Sequence, residues 1–288
     1  MRIPVLSLVL STLLLSAAAA TAQSDTAWDR SYPVTGQPSL VLVTGDSHIN
    51  IHACAACQAV HIHVTADNTS LSRYTLTEEQ SGNTIHFSLK EKVRVGVHLN
   101  WHSSVHVDVE TPANLSLDAR SSDGNLTASG LHGDLTIHTS DGNQELTGVS
   151  GTLALHSSDG RLKVRDASGT IETRSSDGNQ DIAGSFTSLQ LRSGDGSIVI
   201  ELADGSHLSS DSQIASSDGS VTLRLPKSFP AELAVSASDG KIESTLPLVV
   251  DGYSSKGNSG HDIRGKFNGG GSLLTIHTSD GSVHLTTV

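Results

Sequence analysis

The residues best suited to chemistry in this chain are its only two cysteines, Cys54 and Cys57, which form a Cys-Ala-Ala-Cys motif. Such a pair can close a disulfide, bind a soft metal or exchange disulfides. A redox-active pair usually stands at the N-terminus of a helix, where the first thiol becomes acidic. Here segments 49–52 and 60–63 both alternate apolar and polar residues, which is typical of strand, turn and strand. We predict a structural disulfide, with metal ligation and redox catalysis as alternatives.

Histidines are the second chemical feature, since eight of the 15 fall between residues 48 and 106. Facing each other across a hairpin, some of them could bind a transition metal together with the cysteines. Alternatively, they only occupy outward positions of a polar sheet. We assign no metal ligand and no cofactor from this pattern, and metal binding stays an alternative. The histidines that share predicted strand faces are His48 with His52 and His61 with His63; the others are His86, His98, His102 and His106.

Carboxylates recur at fixed intervals in the second half of the chain. The motif Ser-Ser-Asp-Gly, with small variations, places its first five glycines 18 residues apart, and the later spacings are 23, 21 and 41 residues. A residue that returns once in every unit is better explained by the unit than by one active site. We therefore predict turn residues here and no catalytic residues. The turn pairs are Asp123 and Gly124, Asp141 and Gly142, Asp159 and Gly160, Asp177 and Gly178, Asp195 and Gly196, Asp218 and Gly219, Asp239 and Gly240, and Asp280 and Gly281.

The repeat predicts two strands in each unit. Apolar residues stand five and seven positions before the glycine and two and four positions after it, so each set shares one strand face. Two such short strands cannot bury a face alone, but stacked copies pack like residues on like residues. We predict an all-β fold, a β-solenoid (β-helix) with rungs of about 18 residues, two main strands per rung and Ser-Asp-Gly turns. An antiparallel sandwich is the alternative.

The turn sequence leads to two physical expectations, one for the glycine and one for the aspartate. The glycine is expected to provide a positive φ. The aspartates would form a column, in which carboxylates about 5 Å apart repel by roughly 1 kcal/mol in water. Either a neighbouring basic column or bound Ca²⁺ should offset this repulsion. The basic column lies three residues before the aspartates and comprises Arg120, His138, His156, Arg174 and Arg192.

The first 22 residues are typical of a cleaved secretory signal. They combine Arg2, an apolar run and the small-residue sequence at 20–22. An uncleaved membrane anchor is the alternative. No later apolar run reaches the length that spans a membrane, so we expect an exported chain with no membrane span after signal removal.

The rest of the chain divides into segments that differ in how strictly the 18-residue motif repeats. We expect residues 23–35 to be flexible and residues 36–115 to form an N-terminal β cap with the first rungs, since terminal repeats are commonly atypical. Residues 116–288 should form the repeat solenoid, with a Gly-, Ser- and Asn-rich surface loop at about 251–271. A separate small β-domain is the alternative for residues 36–115.

Composition narrows the functional classes. The chain has 288 residues, a formal net charge of −12 and 3% aromatic residues. The acidic balance argues against non-specific binding to nucleic acid or to anionic lipid. The shortage of aromatic side chains for stacking on sugar rings argues against a strong carbohydrate-binding role. Nucleophile elbows, His-Glu-x-x-His motifs and phosphate loops do not occur in the sequence.

The entry into the repeats is similar to a known family. Residues 107–112, Val-Asp-Val-Glu-Thr-Pro, lead into residues 115–124, Leu-Ser-Leu-Asp-Ala-Arg-Ser-Ser-Asp-Gly, and serial Ser-Asp-Gly units follow. This arrangement resembles the bacterial putative-adhesin family, an exported β-solenoid domain of unknown function, over roughly residues 36–288. The resemblance implies a surface or envelope role and supplies no catalytic residues.

Together these features predict a non-catalytic, adhesin-like binding or scaffolding protein. Its location would be the periplasm, the cell surface or the extracellular space, and its partner an envelope protein or polysaccharide. A polysaccharide-active enzyme on the same scaffold is one alternative, because glycoside hydrolysis needs only two carboxylates at a fixed distance. A periplasmic metal-binding protein that uses the N-terminal His and Cys residues is the other.

Overall fold

A computed structural model describes residues 22–92, 103–250, 253–255 and 259–288. Over these ranges the chain forms 26 β-strands, a single 3-10 turn at Leu71–Arg73 and no α-helix. The all-β prediction is confirmed. The predicted signal, apart from Ala22, lies outside the described residues.

The strands fall into three groups along the chain. The first comprises β1 (Ala22–Gln23), β2 (Ala27–Pro33), β3 (Ser39–Thr44), β4 (His48–Cys54), β5 (Ala59–Asp67), β6 (Tyr74–Ser81), β7 (Thr84–Glu91) and β8 (Ser104–Pro112). The second comprises β9 (Ser116–Ser121), β10 (Leu126–Ser129), β11 (His132–Thr139), β12 (Gln144–Thr147), β13 (Ser150–Ser157), β14 (Leu162–Ser175), β15 (Gln180–Ser193), β16 (Ile198–Leu202), β17 (Ser212–Ser216) and β18 (Val221–Leu225). The third comprises β19 (Ala231–Ala237), β20 (Ile242–Ser244), β21 (Leu248–Val250), β22 (Tyr253–Ser255), β23 (Ser259–Gly260), β24 (Asp262–Phe267), β25 (Leu273–Thr278) and β26 (Val283–Thr287).

Residues that occupy the same place in successive repeats pair in parallel register. Leu135 lies between Leu117 and Leu153 on β9, β11 and β13, and the series continues with Ile171 and Leu189. All five side chains are buried. Each apolar residue therefore packs on its copy in the next strand, which gives the chain a β-solenoid-like fold.

The second strand of each repeat stacks in the same way, but it carries two polar residues inward. Gln144 and Gln180 are buried at positions where the neighbouring repeats have Leu126 and Leu162. The Gln144 amide donates hydrogen bonds to Thr139 Oγ1 at 3.0 Å and to the His156 carbonyl at 2.6 Å. Such bonds offset the cost of burying an amide in an apolar core.

Chain order and stacking order differ at both ends of the sheet. At the N-terminal end, β3 and β4 lie between β9 and β10 on one side and β7 and β8 on the other. At the C-terminal end, β25 and β26 lie between β17 and β18 on one side and β19 and β20 on the other. The last segment of the chain is therefore inserted between two earlier ones.

Two predicted irregular segments are in fact strands. The prediction of a flexible segment at 23–35 is wrong for Ala27–Pro33, which pairs with β5 and buries Trp28 and Tyr32. The predicted surface loop at 251–271 is wrong for Asp262–Phe267, which pairs antiparallel with β19. In both cases a few buried apolar side chains are enough to order a segment of polar composition.

Candidate functional site

The turn glycines stack in a continuous column, and glycine is required there for a steric reason. A Cβ on Gly142 would lie 2.1 Å from the carbonyl oxygen of Gly124, and one on Gly160 would lie 2.1 Å from that of Gly142. The column ends with Gly240 against Gly281. The expectation of a positive φ is wrong, because all eight turn glycines lie outside the left-handed region. Glycine is required because neighbouring backbones approach too closely for a side chain.

The turn aspartates lie on the surface beside this column. All eight are exposed, and seven of them donate a backbone N–H to the adjacent turn, as when Asp141 donates to the Ser122 carbonyl at 3.2 Å. Asp46 extends the column beyond Asp123. Burial, and then the charges of Asp123 and Glu91, raise the pKa of Asp46. Like charges therefore do meet along this edge.

The predicted basic residues form an unbroken row, here called the basic ladder: Arg120, His138, His156, Arg174 and Arg192, in register on adjacent strands. The expectation that they neutralise the turn aspartates is wrong for Arg120 and Arg174. Arg120 pairs with Asp118 at 2.9 Å and Arg174 with Glu172 at 2.6 Å. Those acids lie two residues earlier on the same strand, hence on the same face.

The two histidines in the ladder stack on each other. The ring centroids of His138 and His156 lie 4.5 Å apart with an interplanar angle of 11°. Burial lowers the pKa of His138, with Arg120 adding to the effect and Asp118 opposing it. Burial also lowers the pKa of His156, helped by His138 and Arg174 and opposed by Glu172. Both rings therefore favour the neutral form more than a free imidazole does.

The ladder borders a shallow groove of about 390 Å³ lined by hydroxyl groups. Some of them are held by the turns, as when Ser157 donates to the Gly160 carbonyl at 3.0 Å. Charged donors beside hydroxyls suit a carboxylate or another oxyanion. The remaining groove residues are Ser121, Thr139, Ser140, Ser158, Ser175 and Ser176.

A different polar surface covers the N-terminal end and is called here the histidine face: the outward residues of β2, β5, β8 and β4. The expectation that the histidines meet across a hairpin is wrong, because β8 lies between β4 and β5. Glu110 on β8 has His52 as its register partner on one side and His61 on the other. His98 and His102 lie outside the described residues.

Asp29 joins two histidines of this face. His61 Nε2 lies 2.9 Å from one carboxylate oxygen of Asp29, and His63 Nδ1 lies 3.0 Å from the other. Burial alone would raise the pKa of Asp29, but the hydrogen bonds and charges of the two histidines lower it. On the next row His48 and His106 stack with centroids 5.2 Å apart, and His106 lies 3.4 Å from Asp67.

The cysteines lie at the edge of the same face. The structure pairs Cys54 with Cys57 as a disulfide, with Cα atoms 5.7 Å apart, a separation ordinary for such bonds. Donor atoms of Cys54, Cys57 and Glu110 all lie within 4.8 Å of one another. The sequence pointed to the cysteines and histidines, but it had no signal for Glu110, whose position depends on a strand more than 50 residues away.

The acidic residues that break the repeat are scattered. Glu145 pairs with Lys163 at 2.6 Å, and Glu201 pairs with Arg224 at 3.2 Å. Glu172 pairs with Arg174 of the basic ladder. Each acid therefore has its own basic neighbour.

No membrane-crossing helix is found in the described part of the chain.

Comparison with known proteins places the fold. The family model described as Toastrack DUF4097 matches residues 39–286. A solved structure of a putative lipid binding protein from Parabacteroides distasonis is 13% identical, with a TM-score of 0.51, and the match covers 90% of this chain and 96% of that one. A putative adhesin from Bacteroides fragilis is 11% identical, with a TM-score of 0.44, covering 92% and 98%. No curated protein sequence matches this chain.

Proposed function

This chain belongs to the Toastrack DUF4097 family, and we propose that it is a non-catalytic, adhesin-like binding or scaffolding protein of the bacterial cell envelope. The signal-like sequence at 1–22 supports export to the periplasm, the cell surface or beyond. For the finer architecture we propose two-strand rungs of about 18 residues, with residues 36–115 supplying the first rungs and an N-terminal cap.

The observation that carries the proposal is the basic ladder. Five adjacent strands present Arg, His, His, Arg and Arg at one outward position. With strands about 4.8 Å apart, the row extends about 19 Å. An extended partner can contact several members at once, so weak contacts add up along the row.

The partner class that fits best is an acidic polysaccharide. Its repeated carboxylates match the three arginines of the row and the hydroxyls that flank it. The chain's net charge of −12 repels any polyanion at long range, so binding depends on the local positive charge of the ladder. Recognition by charge and hydrogen bonds also suits a chain with 3% aromatic residues.

The arrangement of acids supports a non-catalytic role. A glycoside hydrolase needs two carboxyl groups that face each other across a cleft. The turn aspartates are exposed along one edge, and Glu145, Glu172 and Glu201 each pair with a different base.

The proposal is tested by binding of the mature chain, residues 23–288, to polygalacturonate, with neutral dextran as the comparison polymer. A double variant, Arg174→Gln with Arg192→Gln, should bind polygalacturonate at least about tenfold more weakly, since charge-assisted hydrogen bonds contribute roughly 1.5–3 kcal/mol each. The matched control is Arg224→Gln with Arg264→Gln, which changes the charge equally outside the ladder. Equal binding to both polymers, or equal loss in both double variants, would refute this partner class.

A further inference from the structure

The edge of the histidine face combines two thiols and a carboxylate. Cys54 ends β4, and Cys57 lies in the turn that leads to β5. Both are half-buried, as is Glu110 on the neighbouring strand β8. One donor atom from each of the three falls within 4.8 Å of the other two. Three donors at this spacing could share one ion at bonding distance.

The donor types indicate which ion. Two cysteines separated by two residues are the commonest half of a tetrahedral zinc site, and carboxylate oxygen is a further zinc ligand. Zn²⁺ binds thiolate at about 2.3 Å and carboxylate at about 2.0–2.2 Å, which fits donors less than about 5 Å apart. Ca²⁺ and Mg²⁺ prefer oxygen alone and would not select this corner.

His52 is the candidate fourth ligand, although its ring nitrogens lie outside the group of donors within 4.8 Å. It is the register partner of Glu110 on the adjacent parallel strand, and it lies two residues before Cys54 on the same outward face. His61 is the other register partner of Glu110, but its Nε2 is directed to Asp29 at 2.9 Å. The histidine pair that shares Asp29 therefore lies beside the corner and not in it.

We propose that, in its dithiol form, this corner binds one Zn²⁺ through Cys54, Cys57 and Glu110, with His52 as the fourth ligand. Binding would displace the two thiol protons, since thiolates are the ligands. The disulfide seen in the structure and the zinc site use the same two sulfur atoms and exclude each other. The inference is independent of the polysaccharide proposal, since the ladder shares no residue with this corner.

The experiment uses the mature chain, reduced with a phosphine, desalted without oxygen and titrated with ZnCl₂ against a chromogenic chelator. We expect one Zn²⁺ per reduced chain and none per oxidised chain. Co²⁺ should give the thiolate charge-transfer bands and the visible spectrum of a tetrahedral site. This readout needs no variant and so does not depend on whether a variant folds.

Substitutions then assign the ligands. Cys57→Ser, Glu110→Gln and His52→Ala should each weaken Zn²⁺ binding by more than the roughly 10- to 100-fold lost with an outer-shell partner. His63→Ala is the matched control on the same face and should leave affinity unchanged. A reduced chain that binds no zinc, equal binding by the oxidised chain, or affinity that depends on His63 and not on Glu110 would overturn the proposal.

Discussion

The middle of the molecule and its N-terminal end solve the same packing problem in different ways. In the middle, parallel strands repeat Leu and Ile at each place, so any one strand resembles its neighbours. At the N-terminal end, β2 and β5 run antiparallel to their partners, and the core contains Trp28 and Phe87 with ring centroids 5.4 Å apart. The repeat gives uniform spacing, whereas the end depends on particular side-chain contacts.

The functional candidates follow the same division. The regular middle carries a row of like groups, the basic ladder, which suits an extended partner. The irregular end brings unlike groups together, as Cys54, Cys57, His52 and Glu110 show. A site that requires several different ligands can form only where neighbouring strands differ in sequence.

The largest effect should come from the turn column. Gly160→Ala places a Cβ 2.1 Å from the Gly142 carbonyl oxygen, so adjacent turns must separate. We expect a loss of about 3 kcal/mol in the free energy of unfolding, as for severe overpacking. Gly45→Ala is the matched control in the first turn, because a Cβ there meets nothing within 4 Å. Urea denaturation measures both, and equal losses would contradict the steric explanation of the column.

A smaller loss is expected at the N-terminal end from Tyr32→Phe. Tyr32 is buried, and its hydroxyl donates to Glu78, which also pairs with Arg30. Removing the hydroxyl should cost about 1–2 kcal/mol, since a half-buried carboxylate partner loses a hydrogen bond. Thermal unfolding at pH 7 measures it. An unchanged melting temperature would show that this end does not depend on individual contacts.

The stacked histidines in the middle of the molecule predict that stability and polysaccharide binding depend on pH. Because the folded pKa of His138 and His156 is lowered from 6.5, the unfolded chain binds more protons below pH 6.5. Stability should therefore fall as the pH drops from 6.5 through the lowered pKa, while protonation should strengthen binding to polygalacturonate. Replacing both histidines with Gln should flatten both trends. If neither trend changes, the rings do not titrate as their surroundings imply.

The smallest effect is expected from the ladder's own ion pairs. Arg120 and Asp118 are paired at 2.9 Å, but the Arg120 side chain is 57% exposed. Arg120→Gln should change the free energy of unfolding by less than about 0.5 kcal/mol, as for most surface pairs. Chemical denaturation at low and high salt would reveal a larger structural role, which would weaken the assignment of the ladder to binding.

Much of this molecule was open to prediction because its signals are local. Alternation of Leu155 and its neighbours defines a strand face, and the turn glycines mark every repeat, so the all-β class and the family resemblance follow from sequence. The sequence did not show why the turns need glycine, because a positive φ and a close approach of two backbones both select glycine. Only the 2.1 Å contact between turns separates the two explanations.

The ion-pair partners of the ladder residues were harder to predict than the positions of those residues on the strands. The register of the ladder followed from the 18-residue period, but Arg120 and Arg174 pair with Asp118 and Glu172 instead of with the turn aspartates. Long flexible side chains can reach several acids, so spacing alone does not decide among them. Glu110 was missed for another reason, because its cross-strand partners come from distant parts of the chain.

Within the regular repeats, the amino-acid sequence alone determined the strand positions, the inward faces and the turns, because these depend on alternation and on glycine within a few residues. The tertiary structure alone decided the order in which the units stack, with β25 and β26 inserted before β19 and β20 and with β3 and β4 placed against β9 and β10. Repeats of nearly the same sequence offer nearly the same edge to any neighbour, so local pattern cannot specify which two will meet.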